Sequence, residues 1–163
     1  MLMETRQVKG ALKAMPIKTD RRDAEGIARL LHLGWFRPVH CKSVSAQEVR
    51  ALLGARKAVQ QGMIALEMSI RGLLRNFGLK VGGISRGRFE LRIRELAVGN
   101  LMLEAATEPM LRARACLRQE LAGLERRVRH LAQNDPVSHR LMSMPGIGAV
   151  VALTFQSAVD DPA

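Results

Sequence analysis

Apolar residues recurring by steps of three and four constrain this chain more than any other feature. Val49, Leu52, Val59, Met63, Leu66, Ile70, Leu73 and Phe77 fall on one such stripe, and only Arg56 interrupts it. An α-helix gathers these positions on one face, whereas a strand would scatter them over both. Four heptads, roughly 42 Å at 1.5 Å per residue, predict a long helix near 46–77 whose seam needs a partner. Gly54, Gly62 and Gly72 each cost about 1 kcal/mol relative to Ala in a helix interior, so packing along the seam must compensate. Ser45, with Glu48 three residues on, reads as the N-cap of this helix.

Met110, Arg114, Leu117, Leu121, Leu124, Val128 and Leu131 form a second stripe of the same rhythm. Pro109 is tolerated in a first turn but not mid-helix, which predicts a start near Thr107 and a helix over 107–132. Two heptad helices joined by a compact insert predict an antiparallel coiled-coil pair, within one chain or exchanged between copies. The fold class is therefore mainly α.

Residues 78–88 break the pattern with Gly78, Gly82, Gly83 and Gly87 among Lys80, Arg86 and Arg88. Such a tip lays backbone amides and cations against phosphates, or is simply a flexible turn. It lacks the Gly-Lys-Ser/Thr ending of a nucleotide-binding loop, which excludes that class. A short helix over 89–98 follows. Beyond Asn134-Asp135-Pro136, Met144-Pro145-Gly146-Ile147-Gly148 sits between two helical stretches. That is a helix-hairpin-helix layout, in which amides at Gly146 and Gly148 would hold a phosphate without reading bases; packing alone is the equal alternative.

Charge narrows the partner. The 163 residues carry 26 Lys and Arg against 15 Asp and Glu, a net +11, which points to a polyanion and most commonly to nucleic acid. Arg118, Arg126, Arg127 and Arg129 decorate the second helix. With 3% aromatic residues and no Tyr, packing falls to Leu, Ala, Met and Val, which favours helices over sheets. Cys41 and Cys116 sit in no metal-ligand pattern and read as reduced thiols of a cytoplasmic protein. No secretory signal and no membrane-spanning run is expected. His130 and His139 receive no chemistry.

At the N-terminal end, residues 5–15 have helical spacing and Pro16 ends that helix. A second helix runs from Asp20 to Gly34. Trp35 and Phe36 then pack onto it or stack on bases, with packing the commoner use. Asp20 and Asp23 stand three apart, so on a helix both carboxylates share one face, roughly 5–6 Å apart at Cβ. Two acids so placed suit a hydrated divalent cation completed by substrate phosphates. They equally suit a helix start, with Thr19 or Asp20 as N-cap, and helix starts far outnumber metal sites.

Glu4-Thr5-Arg6-Gln7-Val8-Lys9, Met15-Pro16-Ile17-Lys18-Thr19-Asp20-Arg21-Arg22-Asp23-Ala24 and Gly34-Trp35-Phe36-Arg37-Pro38-Val39-His40 together resemble the transposases of insertion-sequence family one hundred and ten. Met144-Pro145-Gly146-Ile147-Gly148-Ala149 resembles the opening of that family's C-terminal transposase domain, in the same order and at similar spacing.

The resemblance implies three parts. Residues 1–44 would close a RuvC-like, ribonuclease-H-like catalytic domain. Residues 45–134 would be a coiled-coil linker with its basic tip at 78–88, and 135–163 the start of the transposase domain. It implies an Mg²⁺-dependent DNA recombinase in which Asp20 and Asp23 are the last two of four acidic ligands. The other two acids would lie upstream of Met1, and a nucleophilic serine beyond Ala163. It also implies nucleic-acid contacts by Lys18, Arg21 and Arg22, a structured guide RNA, and assembly into homo-oligomers. The chain alone is then expected to bind DNA or RNA without cutting it. The alternatives are a non-catalytic basic coiled-coil module that binds nucleic acid, and a purely structural coiled coil.

Overall fold

The computed structural model describes residues 2–13 and 19–160, and the contacts divide the chain into two compact units, Met1–Ser43 and Val44–Ala163.

In the first unit, β1 (Leu2–Met3) pairs antiparallel with β2 (Pro38–Val39), Leu2 opposite Val39 and Met3 opposite Pro38. The helix α1 (Thr5–Leu12) is tied to this ribbon where Arg37 N–H donates to Gln7 Oε1 at 2.7 Å. Pro16, expected to end the first helix, lies outside the described residues. The helix α2 (Asp20–His32) starts on Thr19, whose Oγ1 accepts from Arg22 N at 3.3 Å. It ends as the sequence predicts, at Gly34. With φ +66 there, Gly34 N–H reaches Leu31 O and Trp35 N–H reaches Leu30 O, which satisfies two carbonyls at the helix end. The Trp35 side chain does not pack down onto the helix: it is 71% exposed, while Phe36 is half-buried. The expected packing thus fails for Trp35, because the turn is closed by backbone bonds and needs no side-chain staple.

The second unit is built on α3 (Val44–Arg75) and α5 (Leu101–Asn134), roughly 48 and 51 Å long at 1.5 Å per residue. They run antiparallel, since Arg56 pairs with Glu125 and Arg114 with Glu67. Ser45 lies inside the first turn of α3 rather than before it. At the other end Gly78 (φ +73) closes the last turn as Gly34 does in α2, with Leu79 N–H on Leu74 O.

The start of α5 departs from the expectation. Pro109 sits mid-helix, eight residues after Leu101, although it removes one N–H and its ring crowds the carbonyl four residues back. Asn100 sets the earlier start, its Oδ1 accepting from Leu103 N at 3.1 Å, while Glu104 accepts from Gly99 N at 2.9 Å. Buried Leu103, Thr107 and Leu111 then hold the turns on either side of Pro109 against the core. Packing offsets the proline penalty, which local preference alone would have avoided.

Two apolar clusters pin the ends of the hairpin. At the far end, α4 (Phe89–Ala97) adds Phe89, Ile93 and Ala97 to Ile70, Leu74, Val81, Leu103 and Leu111. At the near end, α6 (Pro136–Met142) and α7 (Ala149–Val159) bring Met142, Ala149 and Leu153 against Val49, Leu52, Leu53, Val128 and Ala132. Asp135 caps α6 through Ser138 N at 2.6 Å and accepts from Gln156 Nε2 at 2.8 Å. Gln156 Oε1 in turn accepts from the buried Ser138 hydroxyl at 3.0 Å, which joins α6 to α7. Among the described residues no helix is long and apolar enough to cross a membrane.

Candidate nucleic-acid interface

In the first unit the acid pair occupies the first turn of α2. Asp20 is exposed, and Asp23 is half-buried at the rim of a cavity of about 510 Å³ lined by Leu2, Val8, Leu12 and Ile27. No group of three or more His, Cys, Asp or Glu able to hold a metal occurs among the described residues. Two hard oxygen donors on one turn suit Mg²⁺, yet they leave most of an octahedral shell to waters and phosphates. Arg21 pairs with Glu25 at 3.4 Å and is otherwise open to solvent, Arg22 is exposed, and Lys18 lies outside the described residues.

The basic loop of the second unit is packed rather than loose. Val81 is buried, and Leu79 and Ile84 are half-buried against the same cluster. Lys80, Arg86 and Arg88 are exposed and make no ion pair among the described residues. Beneath them lies a group that sequence reasoning missed. Arg114, a seam position of α5, is 0% exposed and donates to Glu67 Oε1 at 2.7 Å and Glu90 Oε1 at 2.9 Å. A third bond reaches Arg86 O at 3.2 Å, and the guanidinium lies 4.6 Å from the centroid of the Phe89 ring. The available signal was an arginine in an otherwise apolar seam, a position that demands buried acceptors.

The turn between α6 and α7 places Gly146 (φ +87) and Gly148 in the open, with Gly148 at the N-cap of α7. No side chain caps that helix, so its first amides are available to an acceptor.

Both units carry a surplus of basic residues. Residues 1–43 hold nine Lys and Arg against four Asp and Glu, and residues 44–163 hold seventeen against eleven. Within the second unit, Glu67 and Glu90 face Arg114 and Glu125 faces Arg56. Glu95 is engaged by Arg92, and Glu108 by Arg94 through two bonds of 3.0 Å. Those bonds hold the Glu108 carboxyl below the usual glutamate range, against an opposing effect of burial, and raise Arg94. Arg50, Lys57, Arg118, Arg126 and Arg127 are exposed with no ion pair among the described residues. These glutamates are thus engaged by arginines, while the five cations just named face water.

The chain is 32% identical over 154 residues to the transposase for insertion sequence element IS1111A of Coxiella burnetii, covering 88% of this chain and 41% of that protein. It is 26% identical over 151 residues to y4pF/y4sB of Sinorhizobium fredii, named as a candidate transposase, covering 89% of this chain and 38% of that protein. The chain therefore spans about two fifths of the length of these curated relatives. No protein-family model matches it, and no solved structure does. Over most of its own length it is similar to insertion-sequence transposases.

Proposed function

We propose that this chain, similar to insertion-sequence transposases, acts in DNA transposition as the nucleic-acid-binding part of a recombinase of insertion-sequence family one hundred and ten. The observation that carries the binding role is the set of exposed cations without an ion pair among the described residues, Arg50, Lys57, Arg118, Arg126 and Arg127, on two long antiparallel helices. Such a surface attracts phosphates whatever their sequence, and its affinity falls as salt rises. DNA is the first partner in this reading, a structured guide RNA the second, and further copies of the chain the third.

In the same reading, residues 1–44 are the end of a RuvC-like catalytic domain, and Asp20 and Asp23 are two of its metal ligands. The helical pair is a coiled-coil linker, and Gly146 and Gly148 belong to a helix-hairpin-helix-type phosphate contact. Mg²⁺, when held by Asp20 and Asp23 together with a DNA phosphate, would polarise that phosphate towards attack. The chain's own residues then contribute two carboxylates and the cations that bring the phosphate to them. In-line transfer also needs a positioned nucleophile. Ser143 and Ser157 are not assigned that role, because of where they stand relative to Pro145-Gly146.

Mn²⁺ binding followed by electron paramagnetic resonance, with and without DNA, tests the metal role. Weak binding that tightens with DNA and is lost in Asp20→Ala and Asp23→Ala is the expected result. Metal binding indifferent to both substitutions leaves the pair as helix-start residues and favours the non-catalytic binding module. Strand cleavage by the chain alone contradicts the binding-without-cutting role.

A further inference from the structure

Two arginines, one from each long helix, reach into the same loop. Arg71 on α3 donates to Gly82 O at 3.0 Å, and Arg114 on α5 donates to Arg86 O at 3.2 Å. Both guanidiniums stand over the ring of Phe89, 2% exposed, Arg71 at 5.3 Å and Arg114 at 4.6 Å from its centroid. Ordering backbone costs conformational entropy, so a loop such as 76–88 stays in one shape only where something holds it. Here two carbonyl clamps act together with the buried Val81 and the half-buried Leu79 and Ile84. The side chains left outside are Lys80, Arg86 and Arg88.

We propose that Arg71 and Arg114 are positioning residues that shape this loop into a fixed cationic site, in which Lys80, Arg86 and Arg88 take the phosphodiester groups of a nucleic acid. The proposal rests on the nucleic-acid-binding reading above and adds to it a place and a cause. Cations on a loop already held in shape lose less freedom on binding than cations on a loose one. Phosphate contacts of this kind fix orientation without reading bases. DNA and RNA share that chemistry.

The test measures binding of the full chain to a labelled DNA duplex and to a labelled RNA hairpin across a salt series. Each phosphate contact contributes about 0.9 to the slope of log affinity against log salt on duplex DNA. Replacing Lys80, Arg86 and Arg88 together by Ala is expected to lower that slope by about 2 to 3. Arg71→Met, with helical circular dichroism retained, is expected to lower it by about 2, more than its own single charge could account for. Combined with the triple replacement it should add nothing, because both remove the same contacts. Arg114→Met should behave alike where it folds, and Arg71→Met carries the test where it does not.

Additive effects of Arg71→Met and the triple replacement overturn the positioning role. An unchanged slope in the triple variant, with wild-type binding intact, overturns the site while leaving the binding reading standing. Absence of wild-type binding to either probe overturns both. Loss confined to one probe supports the site and identifies that nucleic acid as its ligand.

Discussion

Arg114 Nε donates to Glu67 Oε1 at 2.7 Å, and Arg56 Nη2 donates to Glu125 Oε1 at 2.9 Å across the same pair of helices. From 56 to 67 is eleven residues along α3, and from 125 back to 114 is eleven along α5. A slip of either helix breaks both pairs at once. Burying ion pairs adds little net stability compared with apolar packing, but it penalises every register that separates them. The two positions that interrupt the apolar stripes therefore act on alignment.

The two pairs differ in depth, and this predicts different costs. Arg114 is wholly buried beside two carboxylates, so Arg114→Met should destabilise the protein by about 3 kcal/mol or more. The Arg56 side chain is 18% exposed, its partner 39%, and its Nε is buried without an acceptor. Arg56→Met should cost no more than about 1 kcal/mol. Urea denaturation of both variants checks this, and equal losses would contradict the assignment.

Pro109 should be a position where stability can be gained. It is exposed and sits within α5, so Pro109→Ala restores a helix hydrogen bond and should stabilise by about 1–3 kcal/mol. A lower melting temperature in the variant would mean that the helix at this point is shaped by the proline.

The long helices, the stop at Gly34 and the break after Asn134 were legible because each rests on local chemistry: periodicity, a left-handed glycine, a cap before proline. The pairing of Arg56 with Glu125 and of Arg114 with Glu67 was not, since it depends on register between segments far apart in sequence. Pro109 misled for a related reason: its local penalty is legible, but the buried Leu103, Thr107 and Leu111 that outweigh it are not. Of the candidate interface, the exposed cations were legible from charge. The arginines that hold the loop carrying them were hidden as one seam position and one helix residue.

Trp35 is the single tryptophan and is 71% exposed. Its emission should resemble that of tryptophan in water and be readily quenched by acrylamide. A blue-shifted, protected signal would mean that the side chain is covered.

Glu108 predicts the direction of one pH effect. Its carboxyl is held low in the folded state by the Arg94 hydrogen bonds, so its contribution to stability is present above the ordinary glutamate range. It is lost as pH falls through the depressed value. Glu108→Gln should therefore be less stable than wild type at neutral pH, with the gap closing in acid, below the depressed value. A gap of equal size at neutral and acid pH would contradict this origin.

The affinity of the purified chain for a labelled DNA duplex, measured across a salt series, tests nucleic-acid binding directly. Binding at low salt is expected, its logarithm falling linearly with log salt by about 0.9 per phosphate contacted and surviving Asp20→Asn and Asp23→Asn. No binding at low salt, or an affinity that salt does not change, would contradict the binding role.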